Sequence, residues 1–450
     1  MKALHSSKVV LPGGIQEAWV IINEAIIEDV IMEIPATQSF EVIELGDKIL
    51  MPGVIDPHVH INEPGRTEWE GFDSATRAAI AGGITTLVDM PLNSSPVTVN
   101  ATCFDEKLHS TKNKLHTNVG FWGGVVPGNE NELEGLIKKG VLGFKAFLTH
   151  SGIDDFPNVT EEDLKKAMPI IAKYNLPLLV HCELTDSMAS YPPLASGDGG
   201  TSYQNYLKSR PKKWEDDAIA LMIRLCEQFN CRVHIVHLSS ANSLEQIARA
   251  KQQGLLITVE TGQHYLYFNA EEIKDGQTQF KCAPPIREKE NNEKLWQALK
   301  DGLIDFVATD HSPATPSLKE IESGNFMKAW GGISSIQFAL PVLWTAAKKR
   351  NCNFNDMVKW LCVNPAKLIG KENSKGKIEK GFDADLIVVD DEKNFTVDES
   401  SCHHKHKVSP YMGETLSGVV EQTYLAGEKV YENGKFIHLN KGKLISSSIA

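Results

Sequence analysis

Two histidines, His58 and His60, stand two residues apart in the run 54–60, VIDPHVH. On a β-strand, alternate side chains leave on one face, so both imidazoles project together. The loop signal Ile61-Asn62-Glu63-Pro64-Gly65 follows directly and puts the pair at a strand end. Two imidazoles so placed can bind a divalent metal or can be hydrogen-bonded residues of a core. The arrangement recurs along the chain. His181 follows the apolar run 176–180, His237 closes 232–236, and Asp310 ends 304–309, just before Ser312-Pro313. Left unpaired in a core, each of these five groups would cost kilocalories. Gathered at the carboxyl ends of barrel strands, they read as a metal site.

Neighbouring residues need separate assignments. His234 lies three before His237, so strict alternation sends the two to opposite faces; His237 is taken as inward and His234 as structural. Asp56 and Asp89 read as structural groups or as support behind the ligands. His403, His404 and His406 cluster among Ser and Lys and read as a solvated loop. Lys145 is the odd residue, an amine inside the apolar run GFKAF. Its charge must be matched by a carboxylate, or the amine must be neutral. A neutral amine can take up carbon dioxide to form an anionic carbamate, whose two oxygens can bridge two cations. The residues alone leave both readings open.

The elements that would carry these groups are short apolar runs at 54–60, 85–90, 116–125, 142–148, 176–182, 232–238, 255–261 and 305–311. Nearly continuous apolar strands bounded by Gly, Pro or Asn are buried on both faces, as in parallel sheets. Helical patterns lie between them, at 160–174 (with Thr160 as N-cap), 214–229 and 241–253. Eight strands with intervening helices predict an α/β fold of the (β/α)8, TIM-like barrel class, over residues 52–370. Residues 1–51 and 371–450 instead alternate short apolar runs with turns, including hairpin signals at 425–427 and 432–435. Neither end holds enough strands for a stable sheet, so the two are expected to pair into one small β-sandwich domain.

The chain has 450 residues, with 46 Lys and Arg against 58 Asp and Glu, a net charge of −12. That balance argues against nucleic acid and against anionic membranes as partners. No run of apolar residues is long enough to span a bilayer. The N-terminus lacks the apolar core of a secretory signal, and the C-terminal Ser-Ile-Ala is not a peroxisomal address. Eight cysteines lie scattered with no CxxC pair, which points to reduced thiols and a cytoplasmic setting, with an organelle still open.

Taken together, 51–60 (MPGVIDPHVH), GFKAF, LLVHCE, IVHLSS and VATDHSP resemble, in order and rough spacing, the cyclic amidohydrolases of the amidohydrolase superfamily. The segments 324–333 (GNFMKAWGGI) and 282–287 (CAPPIR) are similar to those of the allantoinase branch of that group. The resemblance implies two zinc ions per chain, bridged by an N6-carboxylated Lys145. It places His58, His60 and Asp310 on one metal and His181 and His237 on the other. A hydroxide held between the metals would open a cyclic amide, with Asp310 as general base and then acid. Relatives acting on dihydroorotate usually carry Arg where this chain has Asn62, although Arg66 is close enough to reach in. A neutral ring with amide and ureido groups, such as allantoin, is therefore the expected small-molecule substrate, and allantoate the product. Asn62, Asn93, His150 and Ser312 are the candidates for binding it, although the Asn and Ser residues read equally well as loop caps. The alternatives are a dihydropyrimidinase or hydantoinase, and a non-catalytic scaffold that has lost its metals. The sequence 261–265, TGQHY, departs from the TCPHY form of relatives and leaves the role of that loop open. A homotetramer is implied by the resemblance alone.

Overall fold

In the computed structural model, residues 1–33, 41–185, 200–447 and 449 are described. Ser448 and Ala450, of the C-terminal tripeptide considered above, lie outside them. The N-terminal region forms β1 (Lys2–Leu11), β2 (Gly14–Asn23), β3 (Ile26–Ile31), β4 (Glu41–Glu44) and β5 (Ile49–Pro52). β1 to β3 make an antiparallel meander, and β4 and β5 both run parallel to β1.

One residue past β5 the chain enters the barrel with β6 (Val54–Val59), followed by β7 (Ile84–Asp89), β8 (Asn118–Phe121) and β9 (Gly123–Gly124). β10 (Phe144–Phe147), β11 (Pro177–His181), β12 (Arg232–Ile235), β13 (Ile257–Gly262) and β14 (Phe306–Ala308) complete it. All neighbouring pairs are parallel. β8 pairs with β7 and β9 with β10, so 118–124 is one stave broken at Trp122, and the staves number eight. The ring closes between β14 and β6 through a parallel bridge from Val59 to His311 and a bond from the His60 N–H to the His311 carbonyl, 2.7 Å. Each of the eight apolar runs read from sequence supplies one stave.

The crossover helices also follow local chemistry. Glu161–Lys173 opens with a reciprocal capping box between Thr160 and Asp163. Lys212–Phe229 and Leu244–Gln252 cover the 214–229 and 241–253 patterns, the second preceded by a 3₁₀ turn at Ala241–Ser243. Inside the barrel, Ile55, Val88, Trp122, Leu179, Val236 and Phe306 form one apolar cluster, while a larger one fills the space between staves and helices.

The chain then returns to its beginning. β15 (Leu386–Thr396), β16 (Thr415–Leu425), β17 (Glu428–Glu432) and β18 (Lys435–Phe436) are antiparallel, and β15 pairs with β5. Both chain ends therefore share one nine-stranded sheet around a core of its own that includes Leu4, Val20, Leu50, Leu386 and Tyr424. The hairpin turns are tight, with Ala426-Gly427 and Asn433-Gly434 all at positive φ, as two-residue hairpin loops require.

Candidate metal centre and cavity

Five of the six expected donor residues leave the last residues of a stave or those just beyond, and Lys145 is the second residue of β10. Four residues at this mouth adopt left-handed backbone: Asn62 (φ 67°), Asn93 (φ 66°), His237 (φ 37°) and Asp310 (φ 45°). Such conformations cost non-glycine residues roughly 1–3 kcal/mol and gather where the surrounding structure demands a particular side-chain direction.

The histidines alternate inward and outward bonds. His60 lies with Nδ1 3.1 Å from Asn93 Nδ2 and Nε2 3.7 Å from Asp310 Oδ1. His58 bonds through Nδ1 to Glu260 and directs Nε2 to Asp310 Oδ1 at 3.3 Å. His181 uses Nε2 on Glu183, 2.7 Å, and directs Nδ1 to His237 Nε2 at 3.0 Å. His58, His237 and Asp310 hold one donor atom each within 4.8 Å of one another. An imidazole fixed at one nitrogen by a carboxylate or amide and open at the other has the build of a metal ligand with its outer support.

Lys145 is fully buried, and its Nζ has no hydrogen-bond partner among the described residues; it lies 4.9 Å from the Phe147 ring centre. Its charge acts on His60, His181, His237 and Asp310 together, so it shares their space. Burial lowers the Lys145 amine to about 8, against the opposing pull of Glu260 and Asp310. Burial likewise lowers His181 to about 4, takes His60 and His237 well below the ordinary histidine value, and raises Asp310 to about 6. Neutral imidazoles around an orphaned amine fit a site for divalent cations.

Above these groups opens a cavity of about 280 Å³. Leu92, Phe147, Met327 and Trp330 supply apolar wall, and Arg210, Lys281 and Lys328 supply basic groups. Asn93 and Ser312 line it, and His150 stands at the exposed rim with Nε2 3.3 Å from Asp154. Asn62 does not line it. Fully buried, it donates its amide to the Pro313 carbonyl (3.3 Å) and so anchors a loop, while its Oδ1 has no partner among the described residues. Arg66 pairs with Asp155 at 3.0 Å and donates to the Ser94 carbonyl, also away from the cavity wall.

Two expectations about neighbouring histidines are corrected. His234 points inward as well as His237: it is fully buried, stacks on Phe306 and bonds Glu260. Alternation fails because β12 ends at Ile235 and the left-handed His237 reverses its side chain. The 403–406 cluster is not a solvated loop throughout, since His404 is fully buried with Nε2 2.8 Å from Cys402 Sγ. Asp56 and Asp89 stand behind the site: Asp56 takes a bond from Thr309 Oγ1, and Asp89 pairs with the buried Lys107 at 2.7 Å.

Sequence reading missed the buried carboxylates Glu260, Glu183 and Glu70. Glu183 holds both His181 and Arg210, which keep it down at about 2 despite burial. The signal was a Glu directly following or preceding strand-end residues, as in HCE and VET, which is too common to single out.

A barrel with this donor set at its mouth defines the class of molecule. Residues 49–430 match the amidohydrolase family, and the chain belongs to it, a family of hydrolases with metal-dependent sites. An allantoinase from Streptomyces avermitilis is 47% identical over 446 residues, covering 98% of each chain. An allantoinase from Arabidopsis thaliana is 45% identical, covering 96% of this chain and 88% of its own. Among solved structures, an L-hydantoinase (dihydropyrimidinase) from Arthrobacter aurescens superposes with a TM-score of 0.93 at 28% identity, over 99% of this chain and 100% of that one.

Proposed function

We propose that this chain hydrolyses the cyclic amide bond of allantoin to give allantoate. The observation that carries the reading is the convergence of His58, His60, Lys145, His181, His237 and Asp310 beneath one small cavity. In this reading, the chain would hold two zinc ions, one on His58, His60 and Asp310 and the other on His181 and His237. Lys145, as its N6-carboxylate, would be the residue shared between them; that assignment is supported by its buried Nζ, which has no partner among the described residues.

A cation pair of this kind lowers the pKa of water toward neutrality and polarises an amide carbonyl. Asp310 accepts the proton of the attacking water on its carboxylate and returns it to the ring nitrogen as the C–N bond breaks. The carbonyl carbon becomes the carboxylate of the open-chain product. Asn93 and Ser312 orient the ring, His150 closes over its outer side, and Phe147 and Trp330 keep bulk water away. Residues 52–370 act as the catalytic barrel, with 1–51 and 371–450 as the accompanying β-sandwich. The same reading carries a homotetramer in a cytoplasmic compartment, where the eight free cysteines stay reduced.

Purified protein is expected to hold about two zinc ions per chain and to open allantoin faster than hydantoin, dihydrouracil or dihydroorotate in parallel assays. Chelation should abolish turnover, and zinc should restore it. Preference for hydantoin or dihydrouracil would replace the substrate with that of the hydantoinases. Absence of any bound metal would leave the scaffold reading.

A further inference from the structure

Glu260, on β13, is fully buried inside the barrel and reaches no cavity wall. Its Oε1 bonds His58 Nδ1 and also accepts the main-chain N–H of His237 at 3.2 Å. Its Oε2 lies 3.1 Å from His234 Nε2, and the other nitrogen of that ring lies 2.8 Å from Thr258 Oγ1. His234 further stacks on Phe306, with ring planes 3° apart, so the carboxylate is itself held in place. The other outer supports act on single ligands: Asn93 on His60 and Glu183 on His181. Glu260 alone among these three touches a residue from each half of the centre.

We propose that Glu260, backed by His234, is a positioning residue shared by both metal subsites, so that the two subsites load as one unit. The inference rests on the metal-centre reading above. As a carboxylate, Glu260 accepts N–H donors on both oxygens, which fixes His58 as the Nδ1–H tautomer and leaves its Nε2 lone pair facing Asp310. The same oxygen pins the backbone at His237, whose left-handed φ sets the direction of that imidazole. Glu260→Gln keeps the shape but loses the charge, and one of its two oxygens becomes an N–H donor. If that donor faces His58, the ring must switch tautomer and lose its inward lone pair. If it faces His234, the anchoring bond must be remade and the charge behind both subsites is gone.

The test is binding of cobalt(II) alone, followed by equilibrium dialysis and by its visible spectrum, in the metal-free wild type, Glu260→Gln and Asn93→Ala. Thermal unfolding of the metal-free proteins checks that each is folded. Expected is a loss of affinity of about 10–100-fold for both cobalt equivalents in Glu260→Gln, with both spectral bands altered. Asn93→Ala, which removes support from His60 only, should weaken one equivalent. Should Glu260→Gln not fold, Glu260→Asp, with the carboxylate withdrawn by one methylene, is expected to give the same paired loss. Two equivalents bound as in the wild type, or the loss of one alone, would overturn the shared role. A wild type that takes up no cobalt would instead sink the metal-centre reading itself.

Discussion

Lys145 carries the greatest chemical demand of any single residue, because a buried ammonium without a partner is costly and a carbamate there is not an isolated charge. Its amine, lowered by burial, is already close to the neutral form that attacks carbon dioxide. Lys145→Ala should therefore lose bound metal and at least about 100-fold in ring opening, the upper range for removing outer support from a metal site. Short carboxylic acids such as propionate should restore part of both, by placing two oxygens in the vacated space. Metal analysis and initial rates with and without the acid check this; an unchanged rate in the variant would contradict the bridging role. The six candidate donor residues stand out in the sequence because histidine, lysine and aspartate at strand ends are conspicuous among apolar runs. Glu260 and Glu183 do not, because a glutamate near a strand end gives no sign of whether it faces water or an imidazole. His234 was misdirected for a related reason: alternation holds only while the strand lasts, and nothing in VHIVHL marks Ile235 as its end.

Among the elements, staves and capped helices followed from apolar period and N-cap chemistry, whereas the 327–332 segment did not. It has no helix or strand of its own, yet it forms one wall of the cavity. What fixes it comes from a distance. The buried Lys319 Nζ donates to the carbonyls of Lys281 (2.7 Å), Trp330 (3.0 Å) and Gly332, and Lys281 Nζ donates to the Ala329 carbonyl at 2.6 Å; burial lowers both amines to about 7. At Gly332 a side chain would collide with Ser312, which explains the second glycine of KAWGGI by close approach. Sequence similarity marked the segment as informative but could not show two lysine side chains holding it in place of secondary structure. Removing the Lys319 donor from three buried carbonyls costs about 1–3 kcal/mol. Lys319→Met should accordingly raise KM for the ring substrate roughly tenfold, since 1.4 kcal/mol is a factor of ten. The metal content and kcat should change little, because among the described residues none of the candidate donors hydrogen-bonds to this wall. Steady-state kinetics beside metal analysis would show it; an equal fall in kcat with KM unmoved would mean that the wall does not govern substrate binding.

At the scale of the whole molecule, the pairing of the two ends could be anticipated because neither could complete a sheet alone, but the strand order could not. The joint depends on Asp385, which precedes β15 and is nearly buried. Its carboxylate takes Lys375 Nζ at 2.5 Å, the Asn118 amide at 3.2 Å and the Ala426 N–H at 2.8 Å, while its carbonyl accepts from Gly53. Barrel stave β8, hairpin β16–β17 and the β5–β6 link thus meet on one residue. Lys375 also pairs with Asp383 at 2.8 Å. Burial alone would lower the Lys375 ammonium, but Asp385 and Asp383 outweigh it and hold the group above the ordinary lysine value of 10.5. Replacing one member of such a buried pair leaves the other charge uncompensated, at a cost of about 3 kcal/mol. Lys375→Met should lose that much in chemical unfolding of the metal-free protein, with the donor residues at the barrel mouth untouched. The sign of its pH dependence follows from linkage. Because the folded chain holds the Lys375 proton more tightly than the unfolded chain, the contribution is complete below the unfolded value of about 10.5 and is lost as pH rises through the folded one. The gap between wild type and variant should therefore stay constant from neutrality to about pH 10 and close above it. A variant as stable as the wild type, or a gap that persists beyond the lysine range, would show that the ends are joined by sheet pairing and apolar burial alone.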